Sequence, residues 1–297
     1  MKHETVDVGA AELFDLGRAR RCAATAPHGV ALLTEHLGSG AKLIDVGCGT
    51  GRIAEQAAEA GFRVTGVEPD PAMLAVAARR LDTTQGPGAP VTAPDPDLVA
   101  HTDPPQAALS QIPVALIQAA SPGLPFGPEF DAAWANFVLN VVSNPREVLQ
   151  GIYDVVRNNG LILTVIPDEN DSFNRLFTEA AHRAGAVGPT HSPWNGLERT
   201  PEGMAALHKD CGGEVVEAGR WDAIVRADLE DLWRGVETGM GAVGNTYLAQ
   251  TAATQAAMTA AYWELVAPIR EGDELRLPVA VAYALARKRE GTTTAAQ

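Results

Sequence analysis

Cysteine is scarce: Cys22, Cys48 and Cys211 are the only three in 297 residues. No two of them share a C-x-x-C spacing, so neither a disulfide framework nor a cysteine zinc site is expected, and a reducing compartment suits the odd, scattered set. No metal is implied. Long apolar runs are missing too. None approaches the roughly 20 residues that span a bilayer, so no membrane partner is expected. The first residues, Met1-Lys2-His3-Glu4-Thr5-Val6-Asp7, have no apolar core of a secretory signal. A cytoplasmic location is the expectation. Positive charge is also short, with 23 Lys and Arg against 37 Asp and Glu, a net −14. Affinity for nucleic acid rests on neutralised phosphates. The densest basic cluster near the start, Arg18, Arg20 and Arg21, is too small for that role, so neither DNA nor RNA is expected as a partner.

What remains is an ordinary globular composition, 46% hydrophobic and 20% charged. Its order along the chain is informative. Residues 10–37 carry Leu13, Leu16, Ala23, Val30, Leu33 and Leu37 at helical spacing, with Pro27 expected to kink or divide the run. From Lys42 the pattern changes to short apolar runs alternating with helical segments. Strands are expected over 43–46, 63–68, 114–118, 130–135 and 161–166. Helices are expected over 52–60, 71–81 and 145–156, and Asn158-Asn159-Gly160 reads as a turn. Residues 82–111 interrupt with six prolines and read as a flexible insertion, expected at the end of the sheet away from the chemistry and dispensable for it. The last third mixes helices (172–184, 201–209, 228–237, 248–266) with strands (214–226, 277–287). Repeated strand–helix units imply α/β architecture: a Rossmann-like, seven-stranded, mostly parallel sheet with helices on both faces and a helical cap. Residues 1–35 would form part of the cap and 36–166 the core. Residues 167–297 would complete the sheet and roof the site. Ligands in such sheets bind at the carboxyl ends of the strands, near the reversal in strand order.

The first strand runs into Asp45-Val46-Gly47-Cys48-Gly49-Thr50-Gly51. Glycines let the backbone approach a ligand and adopt positive φ. The helix that follows offers unpaired N–H groups. Cys48 reads as a small filler. A dinucleotide turn places its last glycine where this chain has Arg52, so the turn favours S-adenosylmethionine over a pyrophosphate. Glu68 ends strand two, 17 residues after Gly51, where a carboxylate can take both ribose hydroxyls. Pro69 follows, and Met73 is placed to cover one face of the adenine.

These segments, with 124–126, 130–145 and 158–165, resemble the class I SAM-dependent methyltransferases, and are most similar to the branch that modifies small molecules. The resemblance covers residues 36–166 and implies S-adenosyl-L-methionine as cofactor, S-adenosyl-L-homocysteine as product, and Asp45, Gly47, Cys48, Gly49, Gly51, Glu68, Pro69, Met73 and Asn136 around the cofactor. Family members often carry an acid after strand three that bonds the adenine amino group. The matching position is Ala120, which leaves backbone groups or Ser121 for the adenine. Many relatives have a histidine where this chain has Asn140. That residue either faces the pocket or serves a turn.

In-line methyl transfer depends on alignment and exclusion of water, so the lack of an obvious catalytic motif is no objection. The roof would come from the N-terminal helix with Phe14 and Arg18, from 167–200 with His191 and Trp194, and from 227–266 with Trp233 and Tyr247. For the aromatic residues, helix packing competes with a pocket role. For His191, the candidate base, a surface position competes. Non-methyl chemistry on the same fold (decarboxylation, hydroxylation or cyclisation), a non-catalytic SAM-binding protein, and a macromolecular acceptor in an open groove are the alternatives. A homodimer is compatible with the sequence.

Overall fold

A computed structural model describes residues 9–81, 114–169, 173–190 and 196–290. The 82–111 insertion, His191 and Trp194 lie outside them.

Three helices open the described chain, α1 (Gly9–Leu16), α2 (Arg18–Ala23) and α3 (Ala26–His36). The single run of helical spacing is broken at Gly17 and Thr25. Pro27 sits in the first turn of α3, where its missing N–H costs nothing, and so it starts a helix rather than kinking one. Strand β1 (Lys42–Val46), α4 (Arg52–Glu59), β2 (Arg63–Glu68) and α5 (Pro71–Arg80) follow as the spacing implies. Next come β3 (Ala115–Gln118), β4 (Phe130–Asn136), α6 (Pro145–Val155) and β5 (Val156–Pro167). The expected turn at 158–160 is instead a bulge inside β5. The pairing with β4 jumps from Phe130↔Val156 to Ala132↔Leu161, and Asn159 takes φ +63°.

The last third holds α7 (Phe173–Arg183), α8 (Pro201–Asp210), β6 (Gly213–Asp228), α9 (Leu229–Glu237), α10 (Gly241–Leu248), α11 (Ala252–Val266), the two-residue β7 (Arg270–Glu271) and β8 (Glu274–Lys288). Helix α10 was hidden because Gly241, Gly244 and Asn245 are poor helix formers. Thr251, whose hydroxyl accepts from Thr254 N–H, starts α11 afresh.

The sheet order is β3-β2-β1-β4-β5-β8-β6, with β7 added beside β8. The strands from β3 to β5 are parallel, and β8 runs antiparallel between β5 and β6. Alternate residues of each central strand feed opposite cores. Leu43, Val64, Trp134 and Leu163 pack towards α3, α4, α7 and α11, while Ile44, Val67, Ala133 and Ile162 pack towards α6 and α8. Helix α3 crosses close over β4 because Gly29 has no side chain: a Cβ there would stand 2.3 Å from the Trp134 ring. Chain order reverses between β1 and β4, which opens a crevice at their carboxyl ends. No helix of the described residues is long and apolar enough to cross a membrane.

Candidate active site

The crevice holds a cavity of about 460 Å3, within the roughly 300–1,000 Å3 of small-ligand sites. Its floor is the turn after β1. Gly47, Gly49 and Gly51 have φ of +72°, +55° and +83°, a region that side-chain-bearing residues rarely adopt. At Gly47 space is also decisive, since a Cβ would fall 2.5 Å from Val138 Cγ2. Gly47, Cys48 and Gly49 line the cavity. Gly51 does not. It donates to Cys48 O at 2.9 Å and faces Ala77 and Leu81 of the α5 region, so it shapes the turn and makes no wall.

Glu68 ends β2 with its carboxylate held by two backbone donors, Gly49 N–H and Asp70 N–H, each at 3.1 Å. Burial pushes its pKa up, and these two N–H groups oppose the shift. Pro69, Asp70 and Met73 continue this wall. Asp45, by contrast, is 1% exposed and does not line the cavity. Burial, with the nearby Glu68 charge second, raises its pKa to about 7, and Ala54 N–H opposes the rise. The expectation that Asp45 touches a ligand is corrected: it braces the start of α4 from beneath the turn.

The opposite wall follows β4. Asn136 donates to Cys22 O at 2.8 Å, and its Oδ1 is buried without a hydrogen-bond partner. Asn140 faces the same cavity with its Oδ1 likewise unpartnered. Buried acceptors without donors are costly and point to a ligand that donates. Glu68, Asp70 and these two amide oxygens suit a ligand carrying ribose hydroxyls and an ammonium, so the residues present fit S-adenosylmethionine.

The roof is built by α1, α2 and the start of α10. Phe14, Arg18, Arg21, Cys22, Gly241 and Val243 line it, with Thr190 and Arg199 from the segments after α7. A buried ion cluster holds the roof down. Asp15 Oδ1 accepts from Thr50 Oγ1 at 2.6 Å and Arg52 Nε at 2.9 Å. Its Oδ2 accepts from Arg52 Nη2 at 2.8 Å and Arg80 Nη2 at 2.5 Å. Arg80 Nε also donates to Thr50 O at 3.0 Å. Arg52, noted in the sequence as the residue that displaces a dinucleotide glycine, thus ties α1 to the glycine turn. Sequence spacing does not reveal this cluster, because Asp15 lies 35 to 65 residues from its partners.

Several other expectations are corrected. Ala120 and Ser121 lie away from the cavity. The Ser121 hydroxyl donates to Val148 O at 2.7 Å, which commits it to α6. Trp233 and Tyr247 are helix packing. Trp233 is 3% exposed, stacks on Tyr262 at 4.7 Å, meets Tyr247 edge-on at 5.8 Å, and donates to Glu237 and Thr259. Neither lines the cavity.

An open, mixed sheet with a parallel half, a glycine turn at its switch point and a strand-end glutamate define a Rossmann-like fold whose site suits a nucleoside cofactor with a cationic tail. Comparison with known proteins finds likenesses that agree with this fold. Residues 44–162 match the family model described as "Methyltransferase domain". Over those residues the chain is similar to a methyltransferase domain, whose cofactor is S-adenosylmethionine. Among solved structures it is similar to the YcgJ protein of Bacillus subtilis, with 15% identity and a TM-score of 0.51 over 89% of this chain and 100% of that one. It is also similar to BH2331 of Bacillus halodurans, with 16% identity and a TM-score of 0.50 over 88% of this chain and 99% of that one. At such identities these likenesses concern the fold. No curated protein sequence matches the chain.

Proposed function

We propose that this chain transfers the methyl group of S-adenosylmethionine to a small molecule held in the roofed cavity. The observation that carries the reading is the cavity's continuity. One space joins the glycine turn and Glu68 to walls supplied by α1, α2 and α10, which a large acceptor would have to displace. When bound, the cofactor supplies an electrophilic methyl group on a sulfonium that leaves as a neutral thioether. The chain's own part is placement. Glu68 takes the ribose hydroxyls, the bare backbone of Gly47 and Gly49 admits the cofactor's body, and Asn136 Oδ1 accepts from its ammonium. Phe14, 3.9 Å from where a Gly49 Cβ would stand, excludes water above the turn. Asn140 presents its unpartnered Oδ1 to the acceptor side. His191 is retained as the base for acceptors that must lose a proton.

Incubating the protein with methyl-labelled S-adenosylmethionine and a panel of phenols, carboxylic acids and amines tests the reading. Label in a small product with equal S-adenosylhomocysteine is expected. Label only in added protein or RNA, or none in any class, would defeat it.

A further inference from the structure

The sheet ends in a long strand with a neighbour on one side only. Strand β6 pairs with β8, and no turn or loop among the described residues bonds to its backbone between 214 and 227. An open edge is a template for another strand unless proline or a bulge blunts it. The stretch 220–228, Arg-Trp-Asp-Ala-Ile-Val-Arg-Ala-Asp, has no proline, and the register shift in the β6–β8 pairing lies before it, at Val215/Glu217. Its side chains alternate. Trp221, Val225 and Ala227 turn to the core, while Arg220, Asp222, Ile224 and Arg226 form an exposed row, with Ile224 59% exposed. The charges of that row are poorly matched inside their own sheet. Arg226 stands opposite Arg276 and Asp228 opposite Glu274 on β8, and like charges directly opposite are unfavourable. Arg226 finds Glu274 only on the diagonal, at 3.5 Å. Asp222 makes no ion pair with any described residue. Arg220 reaches Asp168 at 2.8 Å with 47% of its side chain still exposed.

Symmetry and charge then select what fits this edge. A second copy that extends the sheet antiparallel is related by a two-fold axis perpendicular to the sheet, because opposed residues must point to the same face. One residue of β6 therefore faces its own copy. With Ile224 on the axis, Arg226 lies opposite the partner's Asp222, and Asp228 lies opposite the partner's Arg220, each pair occurring twice. On the other face Trp221 lies opposite the partner's Ala227 and Ala223 opposite the partner's Val225. Every charge of 220–228 thus meets its opposite, and every apolar side chain meets another. Moving the axis one residue back sets Arg220 against the partner's Arg226. One residue forward sets Asp222 against the partner's Asp228. Two residues either way set Asp222 or Arg226 against its own copy. The chain as a whole carries a net −14, so two copies repel over most approaches, whereas this segment is neutral and complementary to itself. We propose that two copies of this chain join antiparallel through β6, with the two-fold axis at Ile224, to form one continuous sheet.

Sedimentation equilibrium of the full chain, at concentrations up to about 100 μM, tests this. Wild type is expected to reach the mass of two chains. Arg226→Asp sets two carboxylates against the partner's Asp222, and Asp222→Arg sets two guanidiniums against the partner's Arg226. Each single change is expected to weaken association at least tenfold. The double variant, Asp222→Arg with Arg226→Asp, reverses both pairs and is expected to recover most of the loss. Circular dichroism on all three variants checks that the fold is kept, and the recovery in the double variant separates lost pairing from lost folding. A wild type that stays monomeric, single variants that associate as wild type does, or a double variant no better than the singles would overturn the proposal.

Discussion

Among the described residues, two polar clusters face different things. The first is Asp15 with Thr50, Arg52 and Arg80, charged and set against the cavity. The second is His208 of α8, fully buried against the sheet. Its Nδ1 meets Tyr153 Oη and its Nε2 meets Thr164 Oγ1, each at 2.8 Å. Burial pushes the His208 pKa down to about 3, so the ring is neutral, with both nitrogens satisfied. The ionic cluster ties the short helix α1 to the turn at the floor of the cavity. The neutral one sits between sheet and helix where nothing enters. Ionic character at the cavity and neutral satisfaction in the core separate a site from a scaffold.

The largest expected effect tests the turn that the ionic cluster holds. Gly47→Ala forces a Cβ into Val138 at φ +72°. We expect S-adenosylhomocysteine affinity to fall by on the order of a hundredfold, read by calorimetry, with the fold kept by circular dichroism. Unchanged affinity would remove the turn from the site.

Next is the cluster itself. Asp15→Ala leaves the partly buried Arg52 guanidinium without its carboxylate and Arg80 with only Glu55, a loss on the order of 1–3 kcal/mol. A melting-temperature drop of several degrees and roughly tenfold weaker S-adenosylhomocysteine binding are expected together. A drop in melting temperature with full affinity would make the cluster scaffold only.

His208 and Asp45, the buried acid beneath the turn, should respond to pH in opposite directions. The folded protein keeps His208 neutral down to about pH 3, whereas the unfolded chain takes up the proton near 6.5. Stability from His208 is therefore present above pH 6.5 and is lost as pH falls towards 3. Asp45 has the contrary sign. Its folded pKa of about 7 exceeds the unfolded value near 3.9, so stability declines as pH rises between those values. Melting temperatures from pH 5 to 7.5 separate them. The advantage of wild type over His208→Gln should shrink with acid, and Asp45→Asn should gain on wild type as pH rises. Parallel curves for both variants would contradict the assignment.

The smallest effect concerns the aromatic stack. Trp233→Phe removes the donor to Glu237 and Thr259 and should cost about 1–3 kcal/mol of stability. Cofactor affinity should remain within twofold, and a large loss would return Trp233 to the pocket wall.

The sequence made legible what is local. The order β1, turn, α4, β2 and α5 is written in short-range spacing, and so are Glu68 and Met73. Asp45 looked like a ligand contact because a strand-end acid beside glycines has two faces, and only the fold shows that it faces α4. The roof was legible as apolar periodicity in 10–37 and 227–266. Periodicity marks which residues are buried but not against what, so Phe14 and Trp233 read alike until packing parted them. The Asp15 cluster and the inward turn of Arg21 depend on three short helices folding over the sheet. No spacing rule carries that.

The central claim is that the cavity after β1 and β2 is a S-adenosylmethionine site gripped by Glu68. Calorimetric titration of the wild-type chain with S-adenosylhomocysteine and, in parallel, with NAD tests it most directly. Repeating the first titration on Glu68→Ala tests the grip. One S-adenosylhomocysteine per chain, no NAD, and binding weakened at least tenfold in Glu68→Ala are expected. Binding of NAD in preference, or wild-type affinity in Glu68→Ala, would contradict the account.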